Sequence, residues 1–442
     1  MIVFFFIYKN VNFRYNKKRG GFMEYKVYDY NSYRIHTIKT DKFKNCTLEI
    51  MFRNKLEKDK ITENNMLVDT LMYSSKKYPT RRDVSVALEN LYCSSVRGVI
   101  SRTGESYIIS FITDFLNPKY CEEGYLEDII AFPFEMILNP NITCEEFDRR
   151  SFNIVKNRLK ADILSLKENA MRYALRRSLC NMDSESISSY NMVGNIDDLD
   201  NITTSSLVNT YYNMLNDSIC DIYVIGNLDM DYIVELIRKN FVNKTIKDNE
   251  LGFFINNKLR SKVLDIEEHG DYEQDSFVMV YNLDKLTKRE SYLVMRLFNL
   301  IFGTGGLTSK LYRYLREENS LCYSVSSMFQ LFDNLLIIYA GIEKKDKNKC
   351  VKLVKKALKE MVNGEFSDEE LENAKKNCIS SLKMSIDTPS GNINSYLFHE
   401  LLDFPLFDER IKDIKSVTKE EIINVAKKIK LNTIYLLSGG DK

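Results

Sequence analysis

Hydrophobic and polar residues alternate with period two over residues 25–30, 33–38, 46–52 and 107–115, and each stretch predicts a strand. Between them the period lengthens to that of a helix. Met66, Leu67, Thr70 and Leu71 share a face over 64–75, Val84, Leu88 and Leu91 do so over 82–92, and 125–138 gives a third helix. Residues 145–179 predict one long charged helix, opened by Thr143 with Glu146 three positions on as a capping box. A β-branched strand at 220–225 stops at Gly226. Past a polar run the pattern resumes, with strands at 263–267 and 277–281 and a helix over 285–301. A Gly-rich turn, a short helix with Leu311 and Leu315 one turn apart, and a strand at 324–329 follow. A strand at 335–342 and helices at 348–362 and 368–385 complete the series.

The two halves repeat. Residues 134–143 align with 358–367, both leading into an acidic helix start, and 202–208 align with 417–423. Each half then closes on one strand, at 222–226 and 434–439. Two matched blocks in the same order predict two copies of one α+β domain. The expected boundaries are 23–242 and 259–442, joined by a linker at 243–258.

Composition narrows the functional classes. With 63 basic and 62 acidic residues the net charge is +1, which gives no footprint for nucleic acid or an anionic membrane. The charged helices intersperse both signs and repeat no aromatic platform, so they read as solvated faces. Nine cysteines, an odd number with no C-x-x-C pair, predict reduced thiols and a cytoplasmic protein. The apolar run 1–8 is too short to span a bilayer. Lys17-Lys18-Arg19-Gly20-Gly21 looks like a translated ribosome-binding sequence ahead of Met23. Residues 1–22 are therefore expected to be a non-native or disordered extension, with Met23 the true start.

The candidate chemistry lies in the second half. Arg316 closes the short helix and Tyr323 opens the following strand, seven residues later. A fixed guanidinium fork beside a phenol suits a peptide carbonyl. Gly303, Gly305 and Gly306 supply either a tight turn or a place where a peptide approaches backbone. His399-Glu400-Leu401-Leu402-Asp403 is one residue short of H-E-x-x-H. With a carboxylate as second ligand and no third, it reads as helix surface. His36 and His269, alone among polar neighbours, read as surface histidines.

The block Gly303-Thr304-Gly305-Gly306 … Ser309-Lys310-Leu311-Tyr312 … Leu321-Cys322-Tyr323-Ser324-Val325 resembles the second-domain signature of the insulinase/pitrilysin family of zinc peptidases, which includes the mitochondrial processing peptidase. In that family the Arg and Tyr hold substrate peptide, and the domains face each other as half-shells around a chamber. The first domain carries His-x-x-Glu-His, whose two His bind zinc while the Glu serves as general base. Lys76-Lys77-Tyr78-Pro79 matches the run that follows that motif, which places the motif on Asn65-Met66-Leu67-Val68-Asp69, and the distant third ligand falls on Asn157. Asn65, Val68, Asp69 and Asn157 thus stand where ligands and base belong, and no His lies between His36 and His269 to restore them.

The resemblance therefore implies a chain with no metal or cofactor of its own and no catalysis alone. It implies a non-catalytic, substrate-binding subunit that works with a zinc-bearing insulinase-family partner of the YfmH type on a peptide or unfolded polypeptide. The bacterial branch it looks most like is associated with 5-aminopentanol modification of elongation factor P. The alternative is a structural or scaffold member that binds no peptide.

Overall fold

The computed structural model describes residues 11–14, 23–30, 32–241 and 251–439, and they fall into two compact units. The first unit is built on a seven-stranded sheet. Its strands are β1 (Val11–Arg14), β2 (Glu24–Asp29), β3 (Tyr33–Lys39), β4 (Asn45–Lys55), β5 (Ser95–Thr103), β6 (Ser106–Leu116) and, after a two-stranded hairpin β7 (Ile142–Thr143) and β8 (Glu146–Phe147), β9 (Ile219–Gly226). The order across the sheet is β1-β2-β3-β9-β4-β6-β5, with only β3 and β9 parallel.

The second unit holds β10 (Leu264–His269), β11 (Asp275–Leu283), β12 (Val325–Gln330), β13 (Leu335–Ile342) and β14 (Ile429–Ser438) in the order β10-β14-β11-β13-β12. Here β10 and β14 are parallel and every other pair is antiparallel. Counted from β3 and from β10, the two sheets have one topology: first, fifth, second, fourth, third. The repeat read from the sequence is therefore a repeat of strand order and orientation. It extends to the helix caps. Thr203 and Thr418, aligned in the two halves, both cap their helices with reciprocal capping boxes.

Both faces of the second sheet are buried. Phe277, Met279, Tyr281, Leu336, Ile338 and Leu436 point into the main core under the helices. Val278, Val280, Leu335, Ile337, Tyr435 and Leu437 point the other way and pack against Ala174 and Met182 of helix Ala170–Met182. Period-two alternation places these side chains on opposite faces, and the doubly apolar strands need cover on each. Accordingly, Leu164–Asn191 belongs to the second unit and Ile386–Asn394 to the first.

Several elements differ from expectation. The long charged helix is two helices, Arg149–Ser165 and Ala170–Met182, and Asn169 caps the second through the Arg172 amide. Thr143 lies in the β7–β8 hairpin, so the helix start is held instead by Asp148, which accepts from the Ser151 amide at 2.8 Å. The aligned Ser367 does cap its helix. Strand β5 and helix Met230–Asn240 were not foreseen. Residues 243–250, half of the expected linker, lie outside the described residues, as does most of the amino-terminal extension, of which Val11–Arg14 pairs with β2 as an edge strand.

Candidate functional site

Ser309 begins the short helix that carries Arg316, its hydroxyl accepting from the Tyr312 amide. The last turn, Arg313–Glu317, widens to π spacing, with the Glu318 amide reaching back to the Arg313 carbonyl at 2.9 Å. Such wide turns recur at functional sites because they redirect a side chain without ending the helix. The chain then reverses and delivers Tyr323 two residues ahead of β12.

The reversal brings the two predicted residues together. The Arg316 guanidinium carbon lies 4.7 Å from the centre of the Tyr323 ring and 4.8 Å from that of Tyr312. Both rings contribute cation–π attraction, about 0.5–1 kcal/mol each where solvent reaches them. The guanidinium meets no hydrogen-bond acceptor or carboxylate among the described residues. Two rings hold it in place, and its N–H donors are unspent among the described residues. Tyr323 is 80 % exposed. Cys322, between the two, is a neutral neighbour: burial pushes its thiol up to about 11 despite the opposing charge of Arg316.

Beneath the helix lies an anchor the sequence reading missed. Lys310 is buried and donates to Glu360 Oε2 at 2.9 Å and to the Glu365 carbonyl at 2.7 Å. The Tyr314 hydroxyl donates to the other Glu360 oxygen, and Arg313 reaches the same carboxylate. Burial would raise the Glu360 pKa, but hydrogen bonds from Tyr314 and Lys310 and the charges of Lys310 and Arg313 hold it below the ordinary carboxylate value. The i−4 spacing of Tyr312 from Arg316 was a readable signal; the distant Glu360 gave none.

The glycines divide by role. Gly303 is buried, and a Cβ there would stand 2.7 Å from Ser327 Cβ and 2.9 Å from Leu311 Cδ1, so close packing against β12 requires it. A Cβ on Gly305 would collide with the Leu300 carbonyl. Gly306 is exposed, with φ +68° and open space around it, and serves the turn.

The positions corresponding to the zinc centre are turned to other uses. The Asn65 side-chain amide donates to the Ile61 and Met192 carbonyls, both at 2.8 Å. Val68 is buried and packs against Gly98. Asp69 has its pKa raised by burial, with Arg158 opposing. Asn157 is exposed. An amide tied to backbone, an aliphatic side chain, one carboxylate and a second amide do not make a zinc donor set. In the second unit, His399 Nδ1 bonds the Phe404 carbonyl at 2.8 Å and Asp403 pairs with Lys288 at 2.9 Å, so each has a structural partner. His36 corrects the surface reading: it is fully buried, between Tyr25 at 2.7 Å and Asp221 at 3.2 Å, and stacked on Tyr223.

Comparison with known proteins agrees with this geometry. Residues 201–378 match the family described as the Peptidase M16 inactive domain. The chain is 29 % identical over 411 residues to a Bacillus subtilis protein named "Probable inactive metalloprotease YmfF", covering 91 % of this chain and 95 % of that one. Among solved structures it resembles a conserved protein of Enterococcus faecalis V583, with TM-score 0.88, 26 % identity and coverage of 93 % and 97 %. It shares its fold with a protease from Helicobacter pylori, with TM-score 0.77, 12 % identity and coverage of 94 % and 99 %.

Proposed function

We propose that the chain is an inactive homologue within the M16, insulinase-type peptidase family and serves as the non-catalytic, substrate-holding subunit of a two-chain zinc peptidase, a reading supported by its match to the Peptidase M16 inactive domain and its likeness to a probable inactive metalloprotease. The observation that carries the proposal is the clamped and unspent guanidinium of Arg316. A side chain held against the rings of Tyr312 and Tyr323, with its donors free, loses little entropy on meeting a peptide carbonyl. Tyr323 adds an exposed ring and hydroxyl to the same contact. With no donor set for zinc at Asn65, Val68, Asp69 and Asn157, bond cleavage falls to a partner that carries His-x-x-Glu-His.

The identity of that partner as a YfmH-type chain, and a link to modification of elongation factor P, rest on the sequence resemblance alone. The test is to co-purify the chain with such a partner and to measure peptide cleavage by each chain alone and by both. Cleavage is expected only with both present. Arg316→Ala is expected to lower kcat/KM about tenfold or more, equivalent to at least ~1.4 kcal/mol of transition-state stabilisation. Full activity of the pair with Arg316→Ala and Tyr323→Phe would favour the scaffold reading instead. Hydrolysis by this chain unaided would remove the premise that it lacks catalysis.

A further inference from the structure

Helix Lys347–Asn363 of the second unit buries Cys350, Val354, Ala357 and Met361 on one face. The opposite face carries Lys349, Lys352, Lys355, Lys356 and Lys359, all exposed, and no acidic residue stands between Lys347 and Lys359. Spacings of three and four residues make these lysines neighbours of like charge, which repel. Elsewhere the chain sets opposite charges at such spacings, as in Lys60 with Glu63, Arg149 with Glu146 and Lys375 with Glu372. Here Lys349, Lys352, Lys355 and Lys359 form no salt bridge among the described residues. The carboxylate at the end of the row, Glu360, is taken up by Lys310, Tyr314 and Arg313. The row of cations continues beyond its own helix. The Lys356 ammonium lies 4.5 Å from the centre of the Tyr314 ring and the Arg313 guanidinium carbon 4.7 Å from it, so the lysines lead through Arg313 to the helix that bears Arg316.

We propose that this row of lysines receives an acidic segment of the same polypeptide that Arg316 holds, so that the favoured substrates carry a short run of Asp or Glu beside the held stretch. The inference rests on the peptide-holding reading of Arg316 and adds a substrate class to it. From Lys349 to Lys359 the helix rises about 15 Å, the span of roughly four to five extended residues. Carboxylates along that span neutralise the repulsion that the lysines otherwise exert on one another. A peptide fits the row better than the other polyanions do. The apolar residues of the helix that are partly exposed, Val351, Leu353, Leu358 and Val362, pack against the core, so the lysine face offers nothing to insert into a membrane. Tyr314, the aromatic ring beside the row, is buried beneath Lys356 and gives no platform for a base to stack on.

The experiment is fluorescence anisotropy of the full chain with two labelled peptides that share a neutral half and differ in the other, which carries a run of Glu in one and of Gln in its control. The acidic peptide is expected to bind tighter by about tenfold or more at low salt, with the advantage shrinking as salt is raised. Changing Lys349, Lys352, Lys355 and Lys359 together to Gln, on the exposed face and at little cost to helix propensity, is expected to remove that advantage and leave the Gln peptide's affinity unchanged. Arg316→Ala is expected to weaken both peptides by a similar factor. An acidic peptide that binds no tighter than its Gln control, or a fourfold variant that keeps the preference, would overturn the acidic substrate class while leaving the role of Arg316 standing. Loss of the preference in the fourfold variant with no effect of Arg316→Ala on either peptide would overturn the shared polypeptide, and with it the peptide-holding reading. Tighter binding of a single-stranded oligonucleotide or of phosphatidylglycerol vesicles at the same salt, lost in the fourfold variant, would overturn the assignment of the row to a peptide.

Discussion

At the scale of single residues, two buried carboxylates of the first unit respond to pH in opposite directions. Asp221 is fully buried. Burial would raise its pKa, but Arg53 at 2.6 and 2.9 Å, Arg34 and His36 hold it far below the carboxylate range. Its contribution to stability is complete above the unfolded carboxylate pKa and is lost as pH falls through the folded one. Asp221→Ala leaves Arg53 buried without its partner and is expected to cost about 3–5 kcal/mol in denaturant unfolding at pH 7. Glu49, four residues before Arg53 on the same face of β4, is raised by burial to about 7 from 4.5, with Ser110 and Arg97 opposing. Between those values the native state holds the extra proton, so stability falls as pH rises from 4.5 to 7. Glu49→Gln is therefore expected to stabilise the chain at pH 8, by up to about 3 kcal/mol, and to do little at pH 4. Equal effects at both values would contradict the assignment. Arg316 and Tyr323 were legible because their spacing sits inside one motif. The burial of His36 was not, since Asp221 lies 185 residues away in sequence and only the pairing of β3 with β9 brings it near.

At the scale of elements, the helix bearing Arg316 is fixed by what packs under it. Gly303 and Gly306 separate two causes that the sequence leaves mixed. Gly303→Ala forces a methyl into Ser327 and Leu311 and is expected to destabilise the second unit by about 1–3 kcal/mol. Gly306→Ala meets nothing but must hold φ +68°, which costs about 1 kcal/mol. Thermal unfolding of the two variants orders them, and the reverse order would refute the packing role. Glu360→Ala strips the buried Lys310 of its carboxylate. It is expected to lower peptide cleavage by the paired chains even though Glu360 is far along the chain from Arg316, because the helix loses its anchor. Periodicity recovered most helices and strands. It failed at residues 145–179, where polar side chains continue a helical pattern through the break at 166–169. It also failed at β5, whose alternating exposure belongs to a sheet edge and resembles a loop when read locally.

At the scale of the molecule, the duplicated topology shows why neither half of the sequence is a self-sufficient piece. The second sheet is apolar on both faces, and one face is covered by helix Ala170–Met182, which the sequence places in the first half. Tyr173, Arg177 and Tyr435 all bond Glu268 of β10, tying that helix to the sheet it covers. A fragment spanning 253–442 alone exposes Val278, Val280, Leu335, Ile337, Tyr435 and Leu437 to water, an apolar patch that favours association over a folded monomer. That fragment is expected to aggregate, or to unfold without a cooperative transition. Adding residues 164–191, in trans or through a linker, is expected to restore a monomer with a sharp unfolding transition. A cooperatively folded, monomeric 253–442 fragment would show that the covering helix is dispensable. The division of the chain would then follow the repeat in the sequence and not the packing of the sheet.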